Sequence, residues 1–155
     1  MQRQAVHAQY SLRALWGWAV AALGAMLVLG GCASIVPGGD RRPPIVFVHG
    51  NGDDAAVWMT TIWRFESNGW PRNRLYAIDF PYPLARDDDT KPQPGRSSAD
   101  DQMRYLSQQV DRVLAESGFS RVVLIGHSRG GYAIRNYIEN GGGAKKVSHV
   151  ILAAT

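Results

Sequence analysis

From Pro44 onward, short apolar runs alternate with stretches whose apolar residues recur at helical spacing. "PIVFVHG" (44–50) is a continuous apolar run closed by glycine, the pattern of a strand buried on both faces in a parallel sheet. "RLYAIDF" (74–80), "RVVLIG" (121–126) and "VSHVILAA" (147–154) repeat that pattern and predict three more strands. Between the first two, Trp58, Met59, Ile62 and Phe65 share one helical face within 54–68, and Gly69 stands at the C′ position. Between the second and third, Met103, Leu106, Val110, Val113 and Leu114 form a clearer stripe. Ser97 or Ser98 caps its start and Gly118 ends it. "GGYAIRNYIENGGG" (130–143) predicts a third helix, closed by three glycines. Strands alternating with helices imply an α/β fold with a parallel sheet and right-handed crossovers. The stretch "PYPLARDDDTKPQPGRSS" (81–98) reads as a proline-rich, acidic loop.

The residues before Pro44 follow another pattern. Arg3 and Arg13 precede an apolar run from Leu15 to Gly31 that ends in small residues, the layout of an export signal. Its end, Leu29-Gly30-Gly31-Cys32, resembles the lipobox of bacterial lipoproteins, in which the cysteine is acylated and becomes the new N-terminus. The other reading is an uncleaved membrane anchor. The expected organisation is a lipoprotein-type signal over 1–31, a Pro/Gly-rich linker over 32–43 and a folded domain over 44–155. The domain is then exported, held at the bacterial cell envelope by a lipid anchor or secreted. His7 leaves with the signal.

Composition narrows the chemistry further. The 155 residues are 45% hydrophobic and 19% charged, within the range of a folded domain. The net charge of +4 is spread among acids with no basic stripe, which argues against nucleic acid as a partner. Cys32 is the single cysteine, so neither an intramolecular disulfide nor a cysteine-based metal site is available. No motif calls for a metal or a cofactor.

The candidate chemistry lies in "GHSRGG" (126–131). A serine hydroxyl is a poor nucleophile until a base takes its proton, and it must stand clear of the sheet to meet a carbonyl. A sharp strand-to-helix turn achieves this at the cost of strained backbone angles and close strand–helix approach. Gly126 and Gly130 remove the Cβ atoms that would collide on either side of Ser128. With a strand before it and a helix after it, this G-x-S-x-G resembles the nucleophile elbow of α/β-hydrolases. The new helix points its free N–H groups at the reacting carbonyl, so the Arg129 N–H is one oxyanion donor. In "HGNG" (49–52), Gly50 lets the backbone turn and the Asn51 N–H is the second donor.

The chain from Pro44 to Thr155 resembles the N-terminal part of the small bacterial class 2 lipases of the α/β-hydrolase fold. The resemblance runs through "PIVFVHGNG", "SNGWPRNRLYAIDFPY", "VVLIGHSRGG" and "YIENGGGAKKVSHVILAAT". It implies that Ser128 is the acylated nucleophile, that Asn51 and Arg129 supply the oxyanion hole, and that the substrates are fatty-acid esters or lipids. His49 would hold the oxyanion loop and His127 would pack under the elbow. Arg129 stands where many of these lipases carry methionine, setting a cation beside the nucleophile and against a strictly apolar groove.

The triad of this fold runs serine, acid, histidine along the chain. No Asp or Glu follows Glu139, and His149 is the one histidine after Ser128. His149 is expected on the surface, at the sheet edge opposite Ser128. Asp79 is expected to fix a loop and Asp87–Asp89 to be a solvated acidic stretch, while Trp58 and Trp63 read as core. "VSHVILAA" is expected to form an uncovered apolar edge, as if the chain were the first part of a longer enzyme or a degraded gene. Three readings stay open: a serine ester hydrolase; a polyester depolymerase, acyltransferase or amidase on the same nucleophile; and a non-catalytic binding lipoprotein or inactive fragment.

Overall fold

In the computed structural model, residues 41–155 are described. The expected signal, Cys32 and the linker up to Asp40 lie outside the described residues. Strands β1 (Ile45–Val48), β2 (Leu75–Ile78), β5 (Val122–His127) and β6 (Val147–Ala153) form one parallel sheet in the order β2-β1-β5-β6. Helices α1 (Met59–Ser67), α2 (Ala99–Ser117) and α3 (Arg129–Asn140) supply the crossovers. The α/β architecture expected from the apolar runs is the one observed.

The continuous apolar runs are explained by a sheet covered on both faces. Successive side chains of a strand point to opposite sides. Val46 and Val48 pack with Leu106, Val110, Ala133 and Ile134 under α2 and α3. Ile45 and Phe47 face the other way, against Trp58 and Ile62 at α1. β6 is an edge strand, and Ile151 there is 53% exposed, as its sequence predicts.

The caps are where the sequence places them. Ser98, not Ser97, starts α2: its side chain accepts from Asp101 N–H and its own N–H donates to the Asp101 carboxylate, a reciprocal capping box. Those hydrogen bonds hold the Asp101 carboxyl below its ordinary range. Gly118 closes α2 in the left-handed region at φ 71°.

Three expectations need correction. The first helix opens as a 3₁₀ turn over Ala55–Trp58, and its buried face is Trp58, Ile62 and Phe65. Met59 lies about 100° round the helix from Trp58 and is 42% exposed. Trp63 is on the outer face and 59% exposed, so it is not core. Finally, the stretch 81–98 is not all loop: β3 (Leu84–Ala85) and β4 (Arg96–Ser97) pair in parallel as a miniature ribbon. The acids between them hold this segment's own turns. Asp88 accepts from Thr90 N–H and Oγ, which lowers its pKa, and Asp89 accepts from Ala99 N–H.

Candidate active site

β5 ends in His127, and α3 begins at Arg129 with Ser128 as its N-cap. Ser128 has φ 50° and ψ −125°, a backbone conformation that a residue with a Cβ occupies only under strain, at a cost of about 1–3 kcal/mol. Its N–H donates to Ala153 O (3.0 Å) and its carbonyl accepts from Gly131 N–H (2.9 Å), which fixes the turn. The glycines flanking it are required by contact. A Cβ at Gly126 would lie 2.6 Å from Ile134 Cδ1. One at Gly130 would lie 2.5 Å from His49 O and closer still to Val48 O.

The loop after β1 lies against this turn. A Cβ at Gly50 would meet Asp53 Oδ2 at 3.0 Å, Ser128 Cβ at 3.1 Å and His127 Nδ1 at 3.2 Å. The Asn51 side chain turns away, its Oδ1 accepting from Ala85 N–H (2.7 Å). Among the described residues, neither Asn51 N–H nor Arg129 N–H has an acceptor. The two backbone donors expected from the sequence are thus unspent, one in the loop packed on Ser128 and one at the start of α3.

His49 is 1% exposed and both ring nitrogens are engaged. Nε2 accepts from Phe80 N–H (3.1 Å), so the proton sits on Nδ1, which donates to Gly50 O (2.9 Å). It holds the loop after β1 to β2's exit and has no lone pair left to act as a base. Asp79 likewise fixes the first helix, accepting from Ala55 N–H (2.6 Å). His149, opposite Val123 on β6, is exposed at the far edge from Ser128.

His127 and Arg129 differ from expectation. The His127 side chain is 45% exposed, with Nδ1 3.9 Å from Asp53 Oδ2. It shares the face of Val123 and Ile125 but lies one step beyond their cover, so it rises beside the elbow instead of packing beneath it. The Arg129 cation does not project beside the nucleophile. Its guanidinium is half-buried and donates to Ser97 O (2.6 Å), Pro83 O (3.2 Å) and Ser97 Oγ (3.3 Å). Burial lowers its pKa, and the carboxylates of Asp89 and Asp101 oppose the shift. Asp53, Pro83 and Ser97 carried no sequence signal for these roles.

A cavity of about 780 Å³ lies behind the ribbon, between Phe80, Tyr82, Ser97 and the first turns of α2, with no contribution from Ser128. Among the described residues no group of three His, Cys, Asp or Glu side chains could hold a metal ion. No described helix is long and apolar enough to cross a membrane.

Residues 43–155 match the family model of the alpha/beta hydrolase fold. Among solved structures, the chain is similar to Bacillus licheniformis lipase BlEst2, crystallised in propeptide and mature forms. Each match has 24% identity, covers 72% of this chain and has a TM-score of 0.52. The chain spans 22% of the propeptide form and 40% of the mature form. With a strained serine between a strand and a helix, and with most of its length inside the family model, the chain belongs to the α/β-hydrolase fold family.

Proposed function

We propose that this chain carries the nucleophile and oxyanion half of a serine ester hydrolase of lipase or esterase type. The observation that carries the reading is Ser128 at φ 50° and ψ −125°, seated between β5 and α3 beside two backbone N–H groups without acceptors. Ser128 Oγ attacks the ester carbonyl as its proton passes to a general base. The negative charge that develops on the carbonyl oxygen is met by the Asn51 and Arg129 N–H groups and the positive end of α3. Collapse expels the alcohol with a proton and leaves an acyl-serine, and water then releases the acid and restores Ser128. Deleting one such donor costs about 3 kcal/mol in the transition state. Neither His49, which is fully engaged, nor His149, which is remote, is assigned the base. BlEst2 is named a lipase, which supports esters of fatty acids as the substrate class.

The same reading places the enzyme outside the cytoplasm, anchored through acylated Cys32, on the strength of Leu29-Gly30-Gly31-Cys32 after an apolar run. Labelling of the exported chain with a fatty-acid precursor tests that part. The catalytic part is tested in the complete gene product with a 4-nitrophenyl ester and a fluorophosphonate. Ser128→Ala is expected to lose both hydrolysis and labelling while unfolding at the wild-type urea concentration. Retained hydrolysis in that variant refutes the assignment.

A further inference from the structure

We propose that the Arg129 side chain is a positioning residue that holds the oxyanion loop at its working distance from Ser128 by clamping the β3–β4 ribbon; this rests on the hydrolase reading above. Its guanidinium joins both strands of the ribbon at once, donating to Pro83 O before β3 and to Ser97 O and Oγ on β4. The Ser97 hydroxyl is oriented to accept, because it donates its own proton to Tyr82 O (2.6 Å).

The ribbon in turn holds the oxyanion loop at two points. Pro83 O, which accepts from Arg129, also accepts from Gly52 N–H (3.3 Å). Two residues on, Ala85 N–H donates to Asn51 Oδ1 (2.7 Å). Leu84 packs against Gly52, where a Cβ would lie 3.3 Å from Leu84 Cδ2. Strands of two residues do not support themselves in water, so the ribbon takes its position from what grips it. Arg96 contributes by donating to Ala85 O (2.6 Å), within the ribbon. Arg129 is the grip that comes from the nucleophile side. The residue whose N–H is one oxyanion donor therefore uses its side chain to place the other.

Its acceptors are two carbonyls and a hydroxyl with no carboxylate among them. Removing the guanidinium takes three hydrogen bonds from the ribbon and leaves Pro83 O accepting from Gly52 N–H and Ser97 O accepting from Arg86 N–H, so the ribbon loses its tie to the nucleophile side. A donor moved by about 1 Å is enough to slow a reaction by about a hundredfold.

The test uses the complete gene product with Arg129→Met and Arg129→Lys. Amide hydrogen exchange is read over peptides covering 49–53, 82–86 and 103–115, alongside kcat and KM for a 4-nitrophenyl ester. The expected result for Arg129→Met is faster exchange at 49–53 and 82–86 with α2 unchanged. It is accompanied by a kcat reduced by about tenfold to a hundredfold at a KM near wild type. Arg129→Lys, which keeps the charge and reaches fewer of the three acceptors, falls between. If Arg129→Met does not fold, the lysine variant is judged by the same comparison against wild type. Unchanged exchange at 49–53 overturns the clamp. Faster exchange there with an unchanged kcat overturns its tie to the oxyanion loop, and an equal rise in α2 marks general loosening and also overturns it. Failure of the hydrolase reading itself shows separately, as hydrolysis surviving Ser128→Ala.

Discussion

Replacing Gly130 with alanine adds one methyl group at the tightest strand–helix contact of the site. That carbon would sit 2.5 Å from His49 O and 2.9 Å from Val48 C, with Val48 O closer than either. All three are backbone atoms at the end of β1, held by pairing to β2 and β5, and no rotamer relieves the overlap. Overpacking in a rigid setting costs typically about 1–3 kcal/mol, and backbone on both sides argues for the upper end. Alanine returns about 1 kcal/mol of helix propensity, which leaves a net loss of about 2 kcal/mol. With a urea slope of about 1.5 kcal/mol per molar, the midpoint falls by about 1.3 M. Gly118→Ala is the control. Its φ of 71° strains any Cβ, but nothing lies within 4 Å of it, so its cost is the left-handed conformation alone, about 1 kcal/mol. Equilibrium urea unfolding followed by circular dichroism orders the variants as wild type, Gly118→Ala, Gly130→Ala, from most to least stable. Fluorophosphonate labelling slows in Gly130→Ala only, because α3 must move off β1 and carry the Arg129 N–H with it. A Gly130→Ala midpoint equal to wild type would refute the contact and the need for glycine in the elbow.

Two further outcomes follow from single groups. Ser128→Gly relieves the strain that Ser128→Ala keeps, and after the entropic penalty of glycine it should be about 1 kcal/mol more stable than the alanine variant; equal urea midpoints would show the turn to be unstrained. Tyr137 is buried with its hydroxyl unpartnered among the described residues, and burial pushes its pKa up to about 12, with Asp111 adding to the shift and nearby Ser107 opposing it. An unfolded tyrosine ionises near pH 10, so the stability of the neutral buried phenol is intact below pH 10 and is lost as pH rises toward 12. The stability of Tyr137→Phe relative to wild type should rise by roughly 1 kcal/mol between pH 8 and pH 11, read as a growing gap in urea midpoint; a gap independent of pH would mean that the phenol is not withdrawn from water.

The strands were legible because a sheet covered on both sides leaves no polar face to interrupt them, as Ile45–Val48 shows. The elbow was legible for a related reason. Few local structures need a glycine two residues before and two residues after a serine, and both clashes exist as the pattern implies. The ribbon was not legible. Leu84–Ala85 and Arg96–Ser97 pair over two residues each, across the ten residues 86–95, and no periodicity can arise from two positions. The Arg129 clamp was hidden because two of its three acceptors are backbone carbonyls, which any residue at 83 or 97 would present. Trp63 shows the opposite failure: a large aromatic ring biases a reading toward core, whereas its angle on α1 decides that it faces water.

The site is thus set from two independent directions. From below, β1 and β5 pair in parallel with Val48 level with Gly126, so the loop after β1 and the turn at Ser128 leave the sheet at the same height. That register is hard to disturb, because a slip of one residue would turn Val46 and Val48 away from α2 and α3 and reverse every side chain of the strand. From above, the ribbon holds Asn51 and Gly52 through three hydrogen bonds to Arg129 and two to the loop. The two supports fail differently. Loss of the sheet register would take nucleophile and both donors together and would unfold the domain. Loss of the ribbon would leave Ser128 and the Arg129 N–H in place and release only the Asn51 side. On the proposed hydrolase reading, variation within 82–97 is therefore a route by which the Asn51 donor can be shifted without risking the core.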